Sequence, residues 1–186
     1  MTELFVIAGP AGSGKSTLGV ALADRLQAPY LDLDDATEAL VGEFRDAHPD
    51  LSEAQALAQV REDRYSELAR QARAVIADQA PQALVLIAPF TAEIGSLGRW
   101  LQWIADLGES EGSAHLVWLA LAPGERRARM AARGATRDAD LLEDTGASRE
   151  PAPAREPAVD CLVIDALLPT ATEIDLVMQR FGNGPI

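Results

Sequence analysis

The residues best suited to chemistry lie close to the amino terminus, in a glycine-rich segment that ends in a lysine and a serine. Residues 9–16 read Gly-Pro-Ala-Gly-Ser-Gly-Lys-Ser and match the phosphate-binding pattern G-x-x-x-x-G-K-[ST] at every position. Glycines in such a loop allow successive backbone N–H groups to face one phosphate group. In this pattern Lys15 reaches the β- and γ-phosphates and the Ser16 hydroxyl binds Mg²⁺. We therefore predict nucleotide contacts from Gly9, Ala11, Gly12, Ser13, Gly14, Lys15, Ser16 and Thr17.

Lys15 is the only lysine in the chain, whereas arginine is used many times. A compact ammonium enters a tight loop more readily than a flat guanidinium does. The isolated lysine therefore favours a phosphate site over a glycine-rich turn that merely joins a strand to a helix. It also argues against a GTPase, which would need a second lysine in a guanine-reading Asn-Lys-x-Asp element.

A second candidate for chemistry is the acidic segment 30–38. Asp32 and Asp34 are two residues apart, so their side chains would share one side of an extended segment. A carboxylate beside a terminal phosphate can bind Mg²⁺ through water or accept a proton from a substrate hydroxyl. The alternative is that Asp34 or Asp35 simply caps the following helix.

These residues need a scaffold, and the chain predicts one by alternating short apolar strands with amphipathic helices. The predicted strands are 4–8, 29–32, 84–88, 115–121 and 159–164, and the predicted helices are 17–26, 36–44, 52–79, 94–107, 124–132 and 170–181. Ser52 with Gln55 and Thr170 with Glu173 have the spacing of capping boxes. The alternation predicts an α/β fold, with a five-stranded parallel sheet, helices on both faces, and the phosphate loop at the carboxyl end of the first strand.

Composition restricts the possible partners. The chain has 186 residues, a net charge of −13 and 48% hydrophobic residues, which fits a single domain over 1–186. The negative charge argues against nucleic acid and acidic membranes and favours a small-molecule partner. Without a membrane-length apolar run or a secretory signal, we expect a cytoplasmic location. Cys161 is the only cysteine, so no internal disulfide can form, and we expect it to be a small buried apolar residue.

The phosphate loop followed by Asp32-Leu33-Asp34 resembles the shikimate kinase and gluconate kinase branch of the small P-loop phosphotransferases. The carboxyl-terminal part is similar to the gluconate kinases in order and spacing, through Arg129-Met130-Ala131-Ala132-Arg133, Leu141-Leu142, Glu156-Pro157 and residues 161–165. The middle third of the chain is much less similar to either family. The resemblance implies the three-layer P-loop NTPase fold with a lid at about 129–147, overlapping a Pro- and Ala-rich loop at about 143–157.

The resemblance also implies roles for individual residues. Asp32 would assist Mg²⁺ beside Ser16, and Asp34 would orient or deprotonate the acceptor hydroxyl. In the lid, Arg137 would close over the transferred phosphoryl group, and Arg129 would lie on the adenine ring. Such roles suit phosphoryl transfer, which depends on positioning and on neutralising charge. The alternative for the arginines of this region is a solvated helix face.

The sequence is less informative about the acceptor pocket. Residues 89–91 lack the glycine cluster that shikimate kinases place after the third strand, which argues against shikimate as the acceptor. Residues 133–138 lack the His-Phe pair of the gluconate kinases. Our candidates for acceptor binding are Asp34, Arg61, Arg64, Tyr65 and Thr91, with Glu93 nearby. The alternative is that Arg61, Arg64 and Glu67 are surface partners at helical spacing.

The leading hypothesis is an ATP- and Mg²⁺-dependent kinase acting on a hydroxyl of a small polar metabolite, with sugar acids and carbohydrates as the first acceptor classes. Its catalytic residues would be Lys15, Asp32, Asp34 and Arg137. One alternative is a nucleotide-binding module that regulates a partner or hydrolyses ATP slowly. Another is a nucleoside or nucleotide kinase. The oligomeric state is open between monomer and homodimer, since the tryptophans at 100 and 103 suit either a core or an interface.

Overall fold

Five parallel strands form the central sheet, seen in a computed structural model that describes residues 1–133 and 155–182. The strands are β1 (Glu3–Ala8), β2 (Tyr30–Asp32), β3 (Ala83–Ile87), β4 (Ala114–Ala120) and β5 (Leu162–Asp165), and their order in the sheet is β2-β3-β1-β4-β5. All four neighbouring pairs are parallel. The predicted five-stranded parallel sheet is confirmed.

Helices provide the crossover connections that parallel strands require. The α-helices of the described residues are α1 (Lys15–Leu26), α2 (Leu33–Ala36), α3 (Glu38–Ala47), α4 (Glu53–Gln59), α5 (Arg61–Gln79), α6 (Leu97–Asp106), α7 (Pro123–Arg133) and α8 (Thr170–Phe181). Two short 3₁₀ helices, Glu93–Gly95 and Glu111–Ser113, precede α6 and β4. In these parts of the chain no helix combines the length and the apolar character needed to cross a membrane.

Both faces of the sheet are covered, because alternate strand residues point to opposite sides and each side is apolar. One core layer lies against α5 and α6 and includes Leu68, Leu84, Leu86, Trp100 and Trp103. The other lies against α1 and α8 and includes Leu18, Leu22, Val85, Ile87 and Val177. The tryptophans of α6 are thus core residues, and the prediction of helices on both faces is confirmed.

The predicted helix 52–79 is divided at Val60 into α4 and α5. Val60 is buried, and its backbone angles of φ −92° and ψ 11° depart from helical values in ψ. The capping box at the start of α4 is confirmed. The Gln55 N–H donates to Ser52 Oγ (3.3 Å), and the Ser52 N–H donates to Gln55 Oε1 (2.9 Å).

The predicted capping box at the start of α8 is wrong. Thr170 is the first residue of the helix, and the N-cap position is held by Pro169, which has no side-chain acceptor. The Glu173 side chain is buried at 5% exposure rather than folded back over the helix terminus. This burial raises the pKa of Glu173. Strand β5 covers Leu162–Asp165 and is shorter than the predicted strand 159–164. Cys161, just before it, is partly buried against the core layer next to α5 and α6.

The sheet register decides where functional side chains can meet. Strand β3 lies between β1 and β2, and Ile87 is level with Ile7 on one side and Asp32 on the other. The segments that follow these three strands therefore leave the same edge of the sheet. Ligands of open α/β proteins bind at this carboxyl edge.

Candidate functional site

The loop between β1 and α1 is a tight turn of glycines at the carboxyl edge. Gly9, Gly12 and Gly14 have φ angles of 151°, 78° and 93°. A Cβ on Gly9 would lie 2.8 Å from the carbonyl oxygen of Leu119, which is too close for any side chain. Gly14 is the N-cap of α1, and the first N–H groups of a helix lack intrahelical acceptors and favour an anion. The loop has the backbone geometry of a phosphate site.

Lys15 and Ser16 begin α1. Lys15 Nζ donates to the carbonyl oxygen of Pro10 (2.9 Å), which holds the ammonium over the loop. Ser16 Oγ donates to Oδ2 of Asp32 (2.6 Å) at the end of β2. A hydroxyl and a carboxylate are hard oxygen ligands, and Mg²⁺ often takes only one or two protein ligands besides phosphate and water. The Ser16–Asp32 pair therefore fits Mg²⁺ bound to a nucleotide.

Asp32 also organises the chain that follows β2. Its Oδ1 accepts the N–H of Asp34 (3.0 Å), which makes Asp32 the N-cap of α2. The capping residue is thus Asp32 rather than Asp34 or Asp35. The predicted extended arrangement of the acidic pair is wrong beyond Asp32, because α2 starts at Leu33. The Asp32 carboxylate therefore caps α2 with Oδ1 and accepts the hydrogen bond of Ser16 with Oδ2.

Asp34 is oriented by an arginine from α5. Arg64 Nη2 donates to Asp34 Oδ1 (2.7 Å), and Arg64 Nε donates to Thr37 Oγ1 (2.8 Å). Thr37 Oγ1 donates in turn to the carbonyl oxygen of Leu33. The Arg64 side chain is 10% exposed and that of Asp34 is 47% exposed. A buried arginine thus supports an accessible carboxylate, a group that can accept a hydrogen bond or a proton.

A second cluster ties α5 to the segment after β3. Arg61 Nη2 donates to both carboxylate oxygens of Glu93 (2.9 Å each), and its guanidinium lies 4.4 Å from the centre of the Tyr65 ring. Tyr65 Oη accepts the N–H of Phe90 (2.8 Å). Burial raises the pKa of Tyr65, which keeps the phenol neutral.

Phe90 occupies a costly backbone conformation for a residue with a side chain. Its φ is 51°, in the left-handed region, and its ring is fully buried between Tyr65 and Trp103. Such a conformation costs about 1–2 kcal/mol outside glycine. The Tyr65 hydrogen bond and the aromatic contacts hold it in place. Contacts with Tyr65 of α5 and Trp103 of α6 therefore fix the conformation of the segment after β3.

The alternative in which Arg61, Arg64 and Glu67 pair on the surface is wrong. Glu67 instead accepts hydrogen bonds from Arg70 (2.8 and 2.7 Å), three residues further along α5. These bonds lower the pKa of Glu67 to about 2. Both Arg61 and Arg64 reach carboxylates from other segments.

A cleft of about 310 Å³ joins the phosphate loop to this acidic region. Its lining residues are Ala11, Gly12, Gly14, Lys15, Ser16, Thr17, Asp32, Leu33, Asp34, Ala54, Leu57, Arg64, Ala88 and Pro89. Of the predicted nucleotide contacts, Gly9, Ser13 and Arg129 are not in this lining, and Gly9 and Ser13 are buried. Of the predicted acceptor contacts, Asp34 and Arg64 are in the lining, whereas Arg61, Tyr65 and Thr91 are not.

Sequence reasoning missed the apolar part of the cleft. Ala54 and Leu57 come from α4, and Ala88 and Pro89 directly follow β3. No chemistry-bearing residue type marks these positions. The sequence predicted one continuous helix over 52–79 and so gave no signal that α4 forms a separate wall of the cleft.

Arg129 of α7 lies on the other side of the phosphate loop. Its Nη1 donates to the carbonyl oxygen of Gly12 (3.4 Å), and its Nη2 donates to that of Ala166 after β5 (2.9 Å). This location beside the loop suits contact with a bound nucleotide. Arg137 and the predicted lid beyond residue 133 lie outside the described residues, as does most of the loop at 143–157.

The AAA_33 family model, described as an AAA domain, matches residues 4–149. The chain belongs to this family. No curated protein sequence matches this AAA_33 domain.

Solved structures similar to this AAA_33 domain include several kinases. A gluconokinase from Sinorhizobium meliloti 1021 has a TM-score of 0.59 and 18% identity over 96% of this chain and 90% of that chain. A shikimate kinase from Bacteroides thetaiotaomicron has a TM-score of 0.57 and 18% identity over 97% and 98%. The APS kinase of Mycobacterium tuberculosis, in complex with AMPPNP and APS, has a TM-score of 0.62 and 17% identity over 98% of both. The AAA_33 domain therefore has the P-loop kinase fold.

Proposed function

We propose that this AAA_33 domain is a kinase that transfers the γ-phosphoryl group of ATP, with Mg²⁺, to a hydroxyl of a small polar metabolite. The acceptor classes we propose are sugar acids and carbohydrates, in keeping with the resemblance to gluconate kinases. The observation that best supports this proposal is the 2.6 Å hydrogen bond between Ser16 and Asp32, together with Asp34, which lines the same cleft. Phosphoryl transfer to a hydroxyl requires a phosphate-binding loop, oxygen ligands for Mg²⁺ and a group that positions the acceptor hydroxyl. The loop, the Ser16 and Asp32 oxygens, and the Asp34 carboxylate could fill these roles.

The nucleotide end of the proposed site relies on charge and backbone. Lys15 and the N–H groups of the loop would bind the β- and γ-phosphates, and Ser16 with Asp32 would hold Mg²⁺. The ion would neutralise charge on the phosphates. Arg129, which donates to the carbonyl oxygen of Gly12, would lie on the adenine ring. We propose that Arg137 closes over the transferred group as part of a lid at about 129–147.

The acceptor end relies on Asp34. Its carboxylate would orient the acceptor hydroxyl and take the proton as the hydroxyl oxygen bonds to the γ-phosphorus. The bond from that phosphorus to the β–γ bridging oxygen breaks, and ADP leaves. Arg64 fixes the carboxylate through the 2.7 Å contact, which lowers the entropy that must be lost in the transition state.

We further propose that the protein acts in the cytoplasm as a monomer or homodimer, without nucleic acid or membrane partners. The net charge of −13 supports this view, because sequence-independent binding to nucleic acid or to anionic lipids requires clustered positive charge.

The test is a screen for acceptor-stimulated ADP release. Purified protein with ATP and Mg²⁺ is offered sugar acids, sugars, nucleosides and aminoglycosides in turn. We expect one class to stimulate ADP release and to gain phosphate, and Lys15→Ala to abolish the stimulation while the circular dichroism spectrum stays unchanged. Stimulation that survives in Lys15→Ala would contradict the proposed phosphate site.

A second candidate is a nucleotide-binding module that regulates a partner or hydrolyses ATP slowly. One observation favours it: Asp32 already has a structural task as the N-cap of α2. Tight ATP binding without stimulation by any acceptor class would support this candidate against the kinase. A nucleoside or nucleotide kinase is a third possibility, and the nucleoside arm of the same screen tests it.

A further inference from the structure

We infer that Thr37 is a positioning residue for the proposed reaction, because its hydroxyl binds one N–H of Arg64 and so directs a single neighbouring N–H of Arg64 to the Asp34 carboxylate. This inference rests on the proposed kinase function, in which Asp34 receives the acceptor hydroxyl. Thr37 is 1% exposed and is not part of the cleft lining, so it acts on the reaction through Arg64.

Arg64 reaches both groups with one edge of its guanidinium. The Nε–H and the neighbouring Nη2–H of an arginine are roughly parallel, and such an edge can bind both oxygens of one carboxylate. Here the Nε–H is donated to Thr37 Oγ1 (2.8 Å) and the Nη2–H to Asp34 Oδ1 (2.7 Å). By contrast, Arg61 contacts both oxygens of Glu93. Thr37 thus occupies the N–H of Arg64 that a two-oxygen contact with Asp34 would use.

The Thr37 hydroxyl is itself held in one orientation. Its hydrogen is donated to the carbonyl oxygen of Leu33, four residues earlier, so a lone pair of the oxygen faces Arg64. The buried position directly after α2 leaves the side chain little room to rotate. A guanidinium has only donors, and a hydroxyl whose hydrogen is already used is a matching acceptor for it. Thr37 is therefore a fixed acceptor for Arg64.

The division of the Arg64 edge matters for the proposed role of Asp34. A guanidinium edge that bound both carboxylate oxygens would compete with the acceptor hydroxyl for the same carboxylate. Because Thr37 holds the Nε–H, the plane of the guanidinium is fixed and its contact with Asp34 is limited to one N–H. Small displacements of a positioned group can reduce a rate strongly. The Thr37 hydroxyl therefore contributes to turnover without contacting either substrate.

The test compares Thr37→Val, which keeps the shape of the side chain and removes the hydroxyl, with Thr37→Ser, which keeps the hydroxyl. ADP release is measured with gluconate, glucose, adenosine or kanamycin, whichever stimulates it most, after circular dichroism has shown that each variant is folded. We expect kcat to fall by about 10- to 100-fold in Thr37→Val, with the KM for ATP within about twofold of wild type. Thr37→Ser should keep kcat within about threefold of wild type, because Arg64 retains its acceptor.

The effect should disappear when Arg64 is replaced. Arg64→Lys keeps a positive charge but lacks the rigid pair of parallel N–H groups that binds Thr37 and Asp34 together. In this background Thr37→Val should change kcat by less than about twofold, since the two residues act as one unit. A side chain that merely supports the junction of α2 and α3 would lower kcat by the same factor in both backgrounds, and that result would overturn the inference.

The outcomes separate this inference from the proposed function. Wild-type kcat in a folded Thr37→Val protein, or an equal loss in Thr37→Ser, would overturn the inference and leave the kinase proposal standing. Absence of stimulation by every compound of the screen would overturn the kinase proposal, and the inference with it.

A second variant covers the case in which Thr37→Val does not fold. Thr37→Ala also lacks the hydroxyl and should show the same loss of kcat, so wild-type kcat in this variant would overturn the inference. If neither variant folds, Thr37→Ser decides alone, and a loss of kcat of about tenfold or more in that variant would overturn the inference.

Discussion

The phosphate end and the acceptor end of the cleft are built in different ways. At the phosphate end, a stretch of eight residues forms the loop through backbone geometry, and the contact to Asp32 is the main long-range addition. At the acceptor end, side chains from distant segments meet: Arg64 reaches Asp34, Tyr65 reaches Phe90, and Arg61 reaches Glu93. Single side-chain changes at the acceptor end should therefore alter the choice of acceptor while nucleotide binding is kept.

Asp32 joins the two ends, and its substitution should affect both turnover and stability. Asp32→Asn keeps an acceptor for the α2 cap but loses the charge beside Ser16, so acceptor-dependent turnover should fall by about 100-fold or more. Asp32→Ala should lose turnover similarly and also about 1 kcal/mol of stability, because the cap is lost. Kinetics and urea denaturation check both. Equal stabilities of the two variants would show that the cap contributes nothing.

A substitution at Gly19 tests the packing of α1, the helix that follows the phosphate loop, against β3. A Cβ at this position in α1 would lie 2.4 Å from Cδ1 of the buried Ile87 in β3. Gly19→Ala should therefore destabilise the protein by up to about 3 kcal/mol through overpacking.

The control is Gly42→Ala on the exposed face of α3, where a Cβ meets nothing within 4 Å. This change should stabilise by up to about 1 kcal/mol, since alanine favours a helix. Thermal or denaturant unfolding measures both variants. The packing account fails if Gly19→Ala is as stable as Gly42→Ala.

Tyr65→Phe should weaken the acceptor end alone. The change leaves the buried Phe90 N–H without its acceptor, which costs about 2 kcal/mol. The segment carrying Pro89 should loosen, so the KM for the acceptor should rise while the KM for ATP stays constant. A parallel rise in both constants would contradict the separation of the two ends.

Ser52→Ala should have the smallest effect. It removes the capping box that starts α4, which supplies Ala54 and Leu57 to the cleft. We expect a loss of about 1 kcal/mol in the free energy of unfolding and a smaller rise in acceptor KM than for Tyr65→Phe. Denaturation and initial-rate measurements check both, and a change in ATP affinity would argue against this division of roles.

The same contrast explains what could be predicted from the sequence. The phosphate loop and the strands were predictable, because a local pattern and apolar runs of β length determine them. The pair Asp32 and Asp34 was also identified as a candidate site. Its extended geometry was not correct, because Asp32 ends β2 and caps α2, so that Asp34 lies in a helix.

Other features depend on packing that no local pattern encodes. The break at Val60 is marked by no glycine or proline in the sequence and is seen only in the backbone angles of this buried residue. Glu173 has capping-box spacing from Thr170 and yet is buried. The distant carboxylates that Arg61 and Arg64 bind, Glu93 and Asp34, lie 32 and 30 residues away along the chain, whereas helical spacing suggested Glu67.

We propose that Asp34 serves the acceptor and that the phosphate loop serves the nucleotide. The most direct measurement compares ATP affinity and acceptor-dependent turnover in Asp34→Asn, with Asp35→Asn, an exposed neighbour, as the control. We predict ATP affinity within about twofold of wild type and turnover reduced about 10²–10⁴-fold in Asp34→Asn, with neither changed in Asp35→Asn. Full turnover in Asp34→Asn, or a loss of ATP affinity equal to the loss of turnover, would contradict the account.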